Sequence, residues 1–211
     1  ELSFEPTDSI SLNHFCDGAR RPEKFEDDIR LLRAALKDDP KNARYWFYLA
    51  QCLYDLGRYK KALKAYQNRL ELGGWEEEVY YSAFKKALCL SKLKSDFPIH
   101  ELVQAHEFRP SRVEAIYEII KHYREEGYYD IAYSLCKRQL AKPRSQDILF
   151  IDKSIYDYKL IDELAVCAYW VGEYEESFIL NRQLLENPYL PAFFKERIEK
   201  NQKFAESKMQ E

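Results

Sequence analysis

The chain has 211 residues, 46% of them hydrophobic and 33% charged, enough apolar material for one core or a run of repeats and too much for a disordered chain. Six glycines leave no Gly-rich phosphate cradle, and a net charge of −3 with both signs interspersed argues against nucleic acid as the main partner, since phosphate binding needs clustered positive surface. No apolar run approaches the ~18 residues of a membrane span, and no signal peptide is visible at the acidic start, so a cytoplasmic protein is expected.

Residues 1–20 read as extended. Ser9 to Asn13 alternate weakly and Asp17-Gly18 is a turn signal, so a short strand or arm is expected there, the possible remnant of an upstream domain. From Pro22 the apolar period becomes 3.6. Phe25, Ile29, Leu32, Ala35 and Leu36 form one stripe, ended by Asp38-Asp39-Pro40, which predicts a half repeat over 21–40. The first full repeat spans 41–74. Its first helix, about 43–56, turns Trp46, Leu49, Ala50 and Leu53 inward. Its second, about 59–72, turns Ala62, Leu63, Tyr66 and Leu70 inward before Gly73-Gly74 stops it.

The second repeat, 75–110, is degenerate. Val79, Tyr80, Phe84, Ala87 and Leu88 mark its first helix, and Phe97-Pro98 starts its second, but the glycine between them is missing and 92–96 must make the turn. The third, 111–143, is clear again from Ile116, Ile119, Ile120 and Tyr123 through Gly127 to Pro143. Residues 144–157 are an insert, apolar for a loop, expected to pack on the array or to pair as a short hairpin. The fourth repeat, 158–190, holds Ile161, Leu164, Ala165, Ala168, Gly172, Phe178 and Leu185. Phe194 and Ile198 mark a capping helix over 191–211.

One punctuation recurs three times. Gly57, Gly127 and Gly172 are each followed at +2 by tyrosine (Tyr59, Tyr129, Tyr174) and at +5 by a small residue (Ala62, Ala132, Ser177). Each is preceded at −8 by a branched aliphatic (Leu49, Ile119, Leu164). The terminators Pro40, Gly74, Pro110, Pro143 and Pro188 are spaced by 34, 36, 33 and 45 residues. The pattern resembles tetratricopeptide repeats. The fold class it implies is all-α, a right-handed α-α superhelix of helix–turn–helix units.

Longer strings resemble something narrower. Asp17-Gly-Ala-Arg-Arg-Pro-Glu-Lys-Phe-Glu-Asp-Asp28, Asn42-Ala-Arg-Tyr-Trp-Phe-Tyr-Leu-Ala50 and Gly73-Gly-Trp-Glu-Glu-Glu-Val79 follow one another in that order. Arg109-Pro-Ser-Arg112 and Asp162-Glu-Leu-Ala-Val-Cys-Ala-Tyr-Trp-Val-Gly172 continue the likeness. Together they resemble the C-terminal helical arm of family-2 glycosyltransferases. The resemblance implies an accessory module following a nucleotide-sugar domain, with that upstream domain or a glycan as possible partners.

The residues themselves carry no reaction centre. No Asp-x-Asp motif occurs, and Glu26-x-Asp28 lies on a predicted helix face. There is no nucleophile elbow, HExxH or Walker loop, and His14, His100, His106 and His122 share no ligand spacing. Asp147, Asp152 and Asp157 recur every five residues without a calcium loop's spacing or glycine. Glu76-Glu77-Glu78 reads as an acidic first helical turn favoured by the dipole. Cys16, Cys52, Cys89, Cys136 and Cys167 form no CxxC pair and read as reduced residues, mostly in the core.

Neither a metal nor a cofactor is therefore expected, and no enzymatic activity for this chain alone. Binding of a protein or peptide in a concave groove is. The repeat register places Arg44, Phe47, Tyr48, Gln51, Tyr54 and Asp55 in that groove in repeat one. Tyr117, Lys121 and Arg124 follow in repeat three, and Asp162, Tyr169 and Trp170 in repeat four.

Overall fold

The computed structural model describes residues 22–93 and 96–210. All regular structure among them is helical: α1 (Pro22–Asp38), α2 (Ala43–Asp55), α3 (Tyr59–Glu71), α4 (Glu76–Leu93) and α5 (Ile99–Phe108), then α6 (Glu114–Glu125), α7 (Tyr129–Leu140), α8 (Leu160–Trp170), α9 (Tyr174–Glu186) and α10 (Ala192–Met209). A π-helical turn, Ile155–Lys159, leads into α8. The expected arm over 1–20 lies outside the described residues, as do two residues of the turn between α4 and α5.

The glycine punctuation has a single physical cause. Gly57, Gly127 and Gly172 have φ of 69°, 81° and 88°, a left-handed conformation that costs glycine nothing. The next residue's N–H then reaches back five residues: Arg58 to the Leu53 carbonyl at 2.8 Å, Tyr128 to Tyr123 at 2.8 Å, Glu173 to Ala168 at 2.9 Å. Three complete Schellman caps thus close α2, α6 and α8 and return the chain antiparallel. Beyond each cap, Ala62, Ala132 and Ser177 are buried, where a larger side chain would hold the paired helices apart.

Each helix packs chiefly on its sequence neighbours, which makes the molecule a tetratricopeptide-like superhelix rather than a closed globule. The core runs as linked clusters: Ile29, Leu49, Leu53 and Tyr66 at one end, Tyr80, Leu102, Ile119 and Ile120 in the middle, Tyr158, Leu184 and Ile198 at the other. α10 packs on α9, and its buried Ile198 and Ala205 cover that end of the stack. Cys89, Cys136 and Cys167 are buried free thiols, and Cys52 is half-buried; burial pushes Cys89 and Cys167 up to about 12. No helix among the described residues is long and apolar enough to cross a membrane.

Candidate functional site: a concave face strapped by the insert

The insert forms neither hairpin nor helix over residues 143–152. It runs as an irregular strap past the N-terminal ends of α4 and α6 toward α2. Arg112, in the α5–α6 loop, anchors it. This guanidinium is fully buried, forks onto Glu114 at 2.8 and 2.9 Å, and lies under the Tyr80 ring at 4.6 Å. Its remaining N–H groups donate to the strap carbonyls of Leu149 at 3.0 Å and Phe150 at 3.3 Å. Glu114 accepts in turn from the Tyr80 hydroxyl at 3.2 Å and the Asp152 N–H at 3.3 Å.

A second anchor is Arg109, which donates to Asp147 at 2.6 Å and to Glu76 at 2.9 Å. The hydrogen bonds from Arg109 are the main reason that the Asp147 carboxyl lies below the usual carboxylate range, so this brace is complete above pH ~4 and is lost as acid protonates Asp147. The three acids opening α4 each have their own partner. Glu76 takes Arg109. Glu77 accepts the strap N–H groups of Ile148 at 2.8 Å and Leu149 at 2.7 Å. Glu78 pairs in the core with Arg69, which also donates to the Gly73 carbonyl at 2.6 Å.

Held from both sides, Phe150 takes a positive φ of 47° and sets its ring 6.1 Å from Phe47 and 4.9 Å from Tyr81. Phe47, against Tyr48, Tyr81 and Phe150, is buried, not open to the groove. Tyr48 and Arg44 are exposed, with Arg44 donating to the Tyr48 hydroxyl at 3.4 Å. Gln51 and Asp55 line, with Tyr48 and Phe150, a pocket of about 200 Å³. Tyr54 is half-buried, edge-on to Tyr59 at 5.3 Å.

The other half of the face is not covered by the strap. Tyr117 and Lys121 are half-buried, with Lys121 4.0 Å from Glu125. Arg124 is ion-paired with Glu163, which also receives the Tyr117 hydroxyl at 3.5 Å. Asp162 accepts from Arg197 of α10 at 2.6 Å, and its second carboxylate oxygen is buried with no hydrogen-bond partner among the described residues. Trp170 is 59% exposed, stacked on Tyr129 at 5.1 Å and perpendicular to Tyr169. Tyr169 and Trp170, with Ala165, Val166, Asn201 and Phe204, wall a pocket of about 180 Å³ between α8 and α10.

The sequence reading missed two central residues. Aligning the degenerate second repeat by 34 residues puts Tyr81 at the position of Phe47, and Lys85 at that of Gln51. The missing glycine hid that register. The Lys85 ammonium sits 3.3 Å from the Tyr54 ring centroid and 5.9 Å from that of Tyr81, a cation–π seat. Burial pulls its pKa down to about 8, against the opposing influence of Asp55, Cys89 and Glu118. Burial also raises Glu118.

A lowered lysine pKa means that the unfolded chain binds the proton more tightly between pH 8 and the ordinary lysine range, so the native state gains stability as pH rises through that window. Replacing Lys85 with methionine should stabilise the protein at pH 7, and that advantage should shrink by pH 10. Urea unfolding at both pH values measures it; an advantage independent of pH would refute the buried-cation assignment.

Among the described residues, the aspartates of the insert, His106 and His122 take structural partners. Asp147 braces Arg109, Asp152 caps Ser154 and pairs with Lys159 at 3.1 Å, and Asp157 pairs with Arg144 at 2.7 Å. His106 meets the Arg112 carbonyl at 3.0 Å, and His122 stacks on Phe97 at 4.0 Å. Among the described residues no group of three His, Cys, Asp or Glu is placed to hold a metal.

A fold of sequentially stacked helix pairs with a curved, aromatic-lined face defines a helical repeat module. Consistent with that, a tetratricopeptide-repeat family model matches residues 19–73. Two crystal structures of MamA superpose with TM-scores of 0.57 and 0.59 at 17% identity, each over 78% of this chain and over 83% and 89% of theirs. A thermophilic TPR protein of Thermus thermophilus does so with a TM-score of 0.53 at 16% identity, over 85% of this chain and 91% of its own. No curated protein matches the sequence.

Proposed function

We propose that this chain is a non-catalytic interaction module, working in the cytoplasm, whose concave face captures a protein or peptide segment. The observation that carries this reading is the open aromatic site at Tyr169 and Trp170. A large indole left mostly in water beside a small apolar pocket suits insertion of one apolar side chain. At the other end the strap narrows the groove, so the captured segment enters from the α8–α10 side and extends toward Lys121 and Lys85. Panning a displayed peptide library on the protein tests this. Trp170→Ala should weaken the selected peptide at least tenfold, Tyr48→Ala less, with the circular dichroism unchanged. Retained affinity in Trp170→Ala rejects the groove assignment.

The exposed Trp170–Tyr129 stack also favours a second reading, in which the module shapes the acceptor site of an attached family-2 glycosyltransferase and stacks on a sugar ring. The strings that carry that likeness include the structural braces Arg109, Arg112 and Glu76 to Glu78. Saturable quenching of tryptophan fluorescence by glycans would favour this reading over peptide capture. Turnover of a nucleotide-sugar by the chain alone would overturn the non-catalytic assignment.

A further inference from the structure

The opposite side of α2 carries a second recess, independent of the concave face. Trp46, Leu49 and Leu53 lie about half a helical turn from Tyr48, Gln51 and Asp55, so they point away from the groove. With Leu36 of α1 and Ala65 of α3 they floor a basin of about 680 Å³ between those two helices. Every charged residue on its rim is basic, Arg33 and Lys37 on α1, Lys60, Lys61 and Lys64 on α3, with neutral Asn68 beside them. All five are exposed, and none forms an ion pair among the described residues. Of the neighbouring acids, Asp27 is engaged by Arg30, and Glu26, paired with Arg58, also attracts Arg33 and Lys61 from a distance.

The repeat itself does not require these cations. The positions three, four and seven after the capping glycine are Lys60, Lys61 and Lys64 in repeat one. They are Asp130, Ile131 and Ser134 in repeat three, and Glu175, Glu176 and Ile179 in repeat four. Five cations, none in a salt bridge among the described residues, therefore concentrate at one place on a chain of net charge −3. Crowding like charges around an apolar floor is unfavourable for the isolated fold, and an anionic partner relieves it.

We propose that this basin binds an acidic segment of a partner protein, one that places a large apolar side chain on the Trp46 floor and carboxylates along both rails. Charge complementarity identifies the occupant as acidic, and a recessed floor of this volume suits a side chain rather than a flat bilayer surface.

The test uses a fluorescein-labelled peptide with leucine and phenylalanine flanked by glutamates, the same peptide with glutamine in their place, and vesicles of phosphatidylserine and phosphatidylcholine. Anisotropy should show saturable, salt-sensitive binding of the glutamate peptide and at least tenfold weaker binding of the glutamine peptide. The exposed double substitution Lys60→Glu with Lys64→Glu should weaken the glutamate peptide by about tenfold or more without changing the melting temperature. Trp170→Ala should leave that binding unchanged, which separates this basin from the concave site. The proposal is overturned if the charge reversals bind equally well, if Trp170→Ala abolishes binding, or if the protein sediments with anionic vesicles but ignores both peptides.

Discussion

Replacing Arg112 with alanine should lower the unfolding free energy by about 3–5 kcal/mol, the cost of leaving one member of a buried ion pair uncompensated. Arg112 and Glu114 are 0% and 2% exposed, so neither charge can turn to water. Removing the guanidinium strands the Glu114 carboxylate beside the Tyr80 hydroxyl and frees the strap carbonyls of Leu149 and Phe150. The effect should therefore be double: a large shift in the urea midpoint, and faster tryptic cleavage after Arg144 and Lys153 under native conditions. Arg112→Met combined with Glu114→Gln should recover much of the stability, since the buried charge goes with its partner, yet leave the strap loose. A single substitution that costs less than ~1 kcal/mol would mean that water reaches the pair.

How much of this was legible follows from the range of each interaction. The Schellman turns are local: a glycine, the residue after it and a carbonyl five residues back. Gly57, Gly127 and Gly172 therefore announced α2–α3, α6–α7 and α8–α9 in the sequence. α4 and α5 lack that glycine. Their existence was still readable from apolar spacing, but not the register that places Tyr81 and Lys85 on the concave face. The strap was least readable. Its path depends on Arg109, Arg112 and Glu77 meeting groups more than thirty residues away, and nothing in the local pattern of 144–157 specifies those partners. The acidic run at Glu76 to Glu78 showed a helix start; that its carboxylates would divide among a strap, a loop arginine and a core arginine is a tertiary outcome.

That long-range step decides what Phe47 does, and it sets the second large expected effect. By helical register Phe47 belongs to the groove row that also holds Tyr81, Tyr117 and Asp162. Phe150 closes over it, and Phe47 is left 1% exposed with ring contacts to Tyr48, Tyr81 and Phe150. Phe47→Ala should consequently cost about 3–5 kcal/mol, as for a fully buried aromatic whose removal opens a cavity. Tyr48→Ala, one residue on and 40% exposed, should cost under ~1 kcal/mol. If the strap alone buries Phe47, then Phe150→Ala should lower the further cost of Phe47→Ala, because the two rings share one contact; a double-mutant cycle in urea reads that coupling directly. Strictly additive losses would show that Phe47 is held by α2 and α4 without the strap, and that the groove beneath it would stay closed when the strap is released.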